Sequence, residues 1–267
     1  MPLTQIIVLA IVQGLTEFLP ISSSGHLALV PMLTHWPDQG LPMDVAVHVG
    51  TMFAVIIYFW RDLWAMVLGL ARFVLGKRDP AAGLAIQIIV ATLPVLVAAW
   101  AFEKYVGDAV RAMAVIGWTT LLYGILLFVA DRISMTVKKV EHASLGDALI
   151  IGMAQILALV PGTSRSGITM TAARLLGYER PEAARFSFLM SVPTIAAGGL
   201  WLALKLYDAR DTRLTDDALL AMALSFTTGL FAIAFMMRWL RTSTFTPLVI
   251  YRLLLGAVVL ALAYDLV

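Results

Sequence analysis

An all-α integral membrane protein, with six transmembrane helices, two re-entrant helical regions and an inverted-topology repeat, is the fold class this sequence predicts. Three observations predict it. Of the 267 residues, 61% are hydrophobic and only 13% are Asp, Glu, Lys or Arg, against about 45–50% and about 25% in soluble domains. With a mean hydropathy of +0.90, polar residues are too sparse to coat a water-exposed core. Six apolar stretches are long enough to cross a hydrocarbon layer of about 30 Å as helices. Two shorter apolar segments each run into a proline and then break into small hydroxyl residues and glycine.

In chain order, the segment 5–19 reaches Pro20, and crossings follow over 44–60, 84–102 and 112–130. The segment 148–160 then reaches Pro161, ahead of crossings over 186–204, 218–237 and 246–264. Irregular backbone at membrane depth survives only against protein or a wet cavity, so the two breaks are candidate site positions. The alternative is a pair of ordinary kinked spans. One polytopic domain, 1–267, is expected, with repeat halves 1–130 and 146–267 and a cytoplasmic connection over 131–145. Pro20-Ile-Ser-Ser-Ser-Gly25 is echoed by Pro161-Gly-Thr-Ser-Arg-Ser-Gly167, and more weakly Leu93-Pro94 by Val192-Pro193. The amino terminus lacks the basic region and small-residue cleavage site of a secretory signal and is expected to be mature structure.

Nineteen Lys and Arg against seventeen Asp and Glu give a net charge of +2 from small counts, so no basic face for nucleic acid is indicated. The absence of cysteine removes disulfides, thiolate metal sites and thiol chemistry. Twelve basic residues, among them Arg61, Arg72, Arg174, Arg180 and Arg185, collect on one face, and Lys104, Arg111, Lys205, Arg210 and Arg213 on the other. The excess places the first face in the cytoplasm and both termini outside. Arg165 and Arg252 remain in apolar territory, where charge is functional or structural. Arg252 is expected to snorkel or to support the cavity.

The first break reads Gln13-Gly-Leu-Thr-Glu17-Phe-Leu-Pro20-Ile-Ser22-Ser23-Ser24-Gly25-His26. Four residues apart, Gln13 and Glu17 share a helix face directed at the following turn. Inside a membrane Glu17 needs a partner: Arg165, a magnesium-type cation, or a proton. Ser22, Ser23, Ser24 and Gly25 offer hydroxyls and exposed amides that suit an anion at a helix start. His26 adds a side chain that titrates near neutrality. In the second break, Thr163, Ser164, Ser166, Gly167 and Thr169 surround Arg165, whose guanidinium fork matches a pair of phosphate oxygens. His48 and Thr51 begin an apolar span and are placed at the entrance.

These two motifs together resemble the undecaprenyl-diphosphate phosphatase family of bacterial membranes, also called the bacitracin-resistance protein family, along essentially the whole chain. The resemblance implies a multi-pass enzyme of the bacterial inner membrane, with its site opening to the periplasm. Its substrate would be undecaprenyl diphosphate, cleaved to undecaprenyl phosphate and inorganic phosphate to recycle a lipid carrier for cell-wall synthesis. It also implies a divalent cation, Mg2+ or Ca2+, contact with membrane lipid, a homodimer and no nucleic-acid partner. Carried over by motif, Glu17, Ser23, His26 and Arg165 form the catalytic set and Glu17 the metal ligand. Gln13, Ser22, Ser24, Gly25, Thr163, Ser164, Ser166, Gly167 and Thr169 bind substrate. Many relatives have glutamate at position 13; glutamine brings a carbonyl without charge, so coordination through Glu17 with diphosphate oxygens is the expectation here.

The attacking group is Ser23 activated by His26, His26 itself, or water, with Ser23 preferred. A transporter or flippase using the same intramembrane anion site is the alternative function.

Overall fold

The computed structural model describes residues 1–106, 110, 112–134, 136–208 and 216–266. Among them the chain is built from α-helices with no β-strand, apart from a single bridge between Lys138 and Tyr178. Arg111, Arg210 and Arg213 lie outside the described residues, as does the side chain of Lys205.

The first interrupted segment is α1 (Leu3–Phe18), a turn, and α2 (Ser23–Thr34). α3 (Gly40–Tyr58) follows and bends by 78° at Phe59 into α4 (Trp60–Val74). α5 (Pro80–Tyr105) and α6 (Met113–Ile133) complete the first half of the chain. The second interrupted segment is α7 (Leu145–Gln155), a 3-10 turn (Ile156–Leu159), and α8 (Arg165–Leu175). α9 (Arg180–Asp208), α10 (Asp216–Trp239) and α11 (Thr246–Ala263) close the fold.

Among the described residues, α5, α6, α9, α10 and α11 are each long and apolar enough to cross a bilayer, and the bent α3–α4 pair makes a sixth candidate. The protein is thus a multi-pass membrane protein. Apolar side chains such as Leu93, Val97, Leu122 and Ile125 stand exposed on α5 and α6, as lipid contact requires. α4 is absent from the sequence expectation. Arg61, Asp62 and Arg72 interrupt its apolar character, so a scan for long apolar stretches stops at its start. The same pattern suits a helix lying along a bilayer surface, and Asp62 in its first turn and Arg72 in its last match the helix dipole.

The two breaks share one local design. Ser22 and Ser164 adopt left-handed φ values of 75° and 72°, and each caps the following helix by accepting from the amide of the residue three on. These bonds are Gly25 N–H to Ser22 Oγ at 3.3 Å and Gly167 N–H to Ser164 Oγ at 3.1 Å. The weaker echo of Leu93-Pro94 in Val192-Pro193 falls inside α5 and α9, which are the second and first long helices of their respective halves.

Arg252 does not snorkel. It is fully buried, and its guanidinium donates to carbonyls on three separate elements. Nε bonds Thr120 O of α6 at 3.0 Å, Nη1 bonds Pro20 O of the first break at 3.0 Å, and Nη2 bonds Gly162 O and Thr163 O of the second break, each at 3.0 Å. Gly162 lets the second break lie against α6: its φ is +90°, and a β-carbon there would meet Thr119 Oγ1 at 2.1 Å and Ile116 O at 2.6 Å. Ser166 Oγ also donates to Leu19 O at 3.2 Å, joining one break to the other directly.

The other end of the bundle is held by ions. Buried Asp131 accepts from Arg174 Nε at 3.0 Å and Arg180 Nε at 2.7 Å, and from the Phe245 amide at 3.4 Å. Arg174, expected among the surface charges of the cytoplasmic face, is only 1% exposed; Asp131 and the Tyr178 carbonyl satisfy it there. Arg185 pairs with Asp62 of α4 and with Glu141 and Glu182. Tyr178 donates to Asp147 at 3.0 Å, and burial together with that carboxylate holds its phenol well above the usual range.

Arg252→Lys is expected to destabilise the fold by at least about 3 kcal/mol, because one ammonium cannot span the carbonyls of both breaks and α6. Thermal unfolding in detergent reads this as a fall in Tm relative to the parent chain.

Candidate active site

α1 delivers Glu17 to the break because Gln13 and Glu17 lie one turn apart on its buried face. There the carboxylate is surrounded by donors: Glu17 Oε1 accepts from Arg165 Nη2 at 3.0 Å, and Oε2 accepts from Ser23 Oγ at 2.6 Å and Gln13 Nε2 at 3.0 Å. His48 Nε2 stands 3.9 Å from Oε2. Of the partners the sequence left open for Glu17, Arg165 is the one that the structure brings into contact. Arg165 opens α8 and is steadied by a second bond, Nη1 to Ser187 O at 3.2 Å.

A cavity of about 350 Å³ lies over this pair. Glu17, Ser23, Ser24, Ser164, Arg165 and His48 reach it, and so do Asp44 and Thr194, which the sequence reading did not select. Asp44 was legible: it lies four residues before His48, on the same helical face. His48 Nδ1 donates to Asp44 O at 2.7 Å, since a carbonyl only accepts, which turns Nε2 toward Glu17. Thr194 carried no such signal and reaches the cavity only through the folding of α9. Thr51 is buried beneath, bonded to His48 O at 2.8 Å.

The remaining selected residues build the turns rather than the cavity wall. Ser22 caps α2, the Gly25 and Gly167 amides bond the cap hydroxyls, and Ser166 bonds Leu19 O. Thr169 Oγ1 lies 2.9 Å from Arg165 O and 2.7 Å from Ser187 Oγ, bracing the two residues that fix Arg165. Thr163 is buried with its hydroxyl unpartnered.

His26 faces elsewhere. Its Nδ1 is 2.7 Å from Ser22 O and its Nε2 is 2.6 Å from Tyr251 Oη, with the two rings stacked at 5.8 Å between centroids. The Ser22 carbonyl can only accept, which puts the imidazole proton on Nδ1 and leaves Nε2 to accept from Tyr251. Both ring nitrogens are thereby engaged, and Ser23 is hydrogen-bonded to Glu17 instead. The Ser23–His26 contact expected from the motif is not formed in this state.

Two features bear on a cation. Gln13 Oε1 is buried with no hydrogen-bond partner, and its amide nitrogen already contacts Glu17. Among the described residues no group of three or more His, Cys, Asp or Glu is placed to hold a metal. By donor type the Gln13 carbonyl and the Glu17 carboxylate suit a hard cation such as Mg2+ or Ca2+, but it is the Gln13 amide nitrogen that faces Glu17, so the Gln13 amide has to turn over before both oxygens meet one ion.

What fold and site define together is a multi-pass membrane protein with a charged, hydroxyl-lined cavity where two interrupted helices meet. The chain belongs to the family described as bacitracin resistance protein BacA, whose profile matches residues 6–258. It is 52% identical over 271 residues to a Rhodospirillum rubrum protein named undecaprenyl-diphosphatase 1, covering 99% of this chain and 96% of the relative. Proteins named undecaprenyl-diphosphatase from Ruegeria pomeroyi and Roseobacter denitrificans are 51% and 50% identical over 267 residues, each across 99% of this chain and 100% of the relative.

A double-mutant cycle on Glu17→Gln and Arg165→Met is expected to show a coupling of at least about 1 kcal/mol in unfolding free energy, since either single change strands a largely buried charge or its partner. Additive single effects would contradict the pairing.

Proposed function

We infer that this chain is an enzyme, a phosphatase that hydrolyses undecaprenyl diphosphate to undecaprenyl phosphate and inorganic phosphate, recycling a lipid carrier for cell-wall synthesis. The observation that carries the reading is the near-full-length identity to proteins bearing the undecaprenyl-diphosphatase name, joined to a cavity in which Arg165, Glu17 and Ser23 converge. The transporter or flippase alternative is not favoured, because the relatives carry a hydrolase name and the cavity holds a hydroxyl bonded to a carboxylate.

Arg165 is the phosphate clamp. With one nitrogen on Ser187 O and one on Glu17, its fork is oriented before substrate arrives, and bonds that strengthen as negative charge gathers lower the barrier. The starts of α2 and α8 bring backbone amides and positive helix ends to the same cavity. Ser23 is the preferred nucleophile, and its 2.6 Å bond to Glu17 supports that carboxylate as the proton acceptor. Ser23 Oγ would bond the terminal phosphorus as the anhydride P–O bond breaks, with the electron pair leaving on undecaprenyl phosphate and the serine proton passing to Glu17. Water would then attack the phosphoserine as the P–Oγ bond breaks, Glu17 would return its proton to Ser23 Oγ, and inorganic phosphate would leave with the oxygen and protons of that water. His26, fixed by Ser22 and Tyr251, reaches the phosphorus or a water only if it leaves Tyr251.

Gln13 and Glu17 are the residues that would hold Mg2+ or Ca2+. When bound, such a cation neutralises charge on the diphosphate oxygens.

The cavity shares Gly198 with the groove that ends at Trp100, on the end of α5 that carries Lys104, whose Nζ stands 5.5 Å from the Trp100 ring centre. This is the end that the basic-residue bias puts outside. We therefore place the protein in the cell inner membrane with its site opening and both termini toward the periplasm. The homodimer rests on the family resemblance.

Purified protein is expected to release inorganic phosphate from undecaprenyl diphosphate, and to lose most of that release in a metal chelator and in a folded Arg165→Ala variant. Near-normal turnover by Arg165→Ala would sink the clamp assignment; no release by well-folded parent protein across lipids and metals would sink the phosphatase reading. Rapid quench with terminally labelled lipid diphosphate is expected to trap label on Ser23 as an acid-stable adduct, whereas an acid-labile adduct on His26 would transfer the role to the imidazole.

A further inference from the structure

The cavity over Glu17 and Arg165 has a second wall of different chemistry. Val45, Val49, Ala158, Ile195 and Gly198 line it, and none of them offers a side-chain hydrogen bond. Beyond that wall, between α5 and α9, lies a groove of about 300 Å³ formed by Leu96, Ala99, Trp100, Ala197, Gly198 and Trp201. Gly198 lines both spaces. A β-carbon built on it meets nothing within 4 Å, and one on Gly199 meets only Val49 Cγ2 at 3.8 Å. Neither glycine has a left-handed φ, so neither turn geometry nor close helix packing accounts for the pair. Each costs about 1 kcal/mol of helix propensity relative to alanine in the middle of α9.

The outer groove leads to Trp100 and Trp201, which are 59% and 47% exposed on the lipid-facing side of the bundle. The other space adjoining the site differs. Its lining is mixed, with Leu27, Pro31, Met32 and Ile116 beside Asp38, Asp44 and His48, so ionisable groups interrupt it, whereas the groove at Gly198 has none.

We propose that Gly198 is the threshold of a lateral slot between α5 and α9, through which the prenyl chain of the substrate runs from the polar cavity into lipid. Bulk at position 198 then determines whether a long chain is accepted. The proposal rests on the phosphatase reading and adds the path of the tail and a specificity-determining residue. A diphosphate head held by Arg165 needs charge and donors, while the branched hydrocarbon behind it needs an uninterrupted apolar exit. A helix face without side chains provides that exit with no domain movement, and hydrocarbon passes from slot to lipid between environments of similar polarity.

The test compares kcat/KM for C55 and C5 prenyl diphosphates in the parent chain and in Gly198→Phe, whose ring would occupy the open space. The C55-to-C5 ratio is expected to fall by about tenfold or more, as for a pocket that no longer admits part of its ligand. Because the chain has no cysteine, Gly198→Cys supplies a single thiol for a readout independent of turnover. Undecaprenyl phosphate is expected to slow its alkylation, and inorganic diphosphate is expected not to. An unchanged ratio in Gly198→Phe, or alkylation indifferent to undecaprenyl phosphate, would overturn the slot while leaving the phosphatase reading in place. A parent chain that releases no phosphate from the C55 substrate would remove that reading and the slot with it.

Discussion

The Arg252 guanidinium is the constraint on which the rest of this structure depends. Each interruption frees backbone carbonyls that lipid cannot satisfy, at a cost of several kcal/mol apiece in hydrocarbon. One fully buried side chain answers the carbonyls of Pro20, Gly162, Thr163 and Thr120 together. Because that side chain belongs to α11, the final helix fixes the two breaks relative to each other. The placement of Glu17 on one break opposite Arg165 on the other follows from that bracket, with Ser166 and Leu19 adding a direct tie.

The ends of the molecule are held by different physics. Around Asp131, Arg174 is buried and Arg180 half-buried, and Arg185 binds α4 to α9 through Asp62. Such clusters lose heavily when one member is removed and so enforce one arrangement. At the site end, by contrast, the charged pair is flanked by an open cavity, neutral hydroxyls and paired glycines. Rigidity concentrated at one end leaves the other free to admit a large substrate without unfolding.

Much of this was legible in the sequence, and the exceptions have physical causes. Long apolar stretches announce α5, α6, α9, α10 and α11 because crossing hydrocarbon demands length and apolarity that little else in a protein requires. The Ser22 and Ser164 turns were visible as proline followed by hydroxyls and glycine. α4 was not, since its charges break the apolar pattern that marks a crossing helix. Nor was the direction of His26. Motif spacing puts it one turn beyond Ser23, but the hydroxyl of Tyr251, 225 residues away in the chain, captures its Nε2, and no local pattern reports such a partner. Arg252 looked ambiguous for a related reason: a lone arginine near a helix end snorkels or braces according to which carbonyls fold around it, and those lie on three other segments.

The Glu17–Arg165 pair leaves the resting cavity electrically balanced at its centre. A diphosphate headgroup entering there competes with Glu17 for the same guanidinium, and to the extent that it succeeds, a buried carboxylate is stripped of its neutralising partner. In a medium where uncompensated charge is so unfavourable, a positive counter-charge arriving with the headgroup would lower that cost. Under the proposed reading that counter-charge would be the lipid's own escorting cation or a proton taken up in the same step, and occupancy of the cavity would then be closer to an electroneutral exchange than to the capture of an anion.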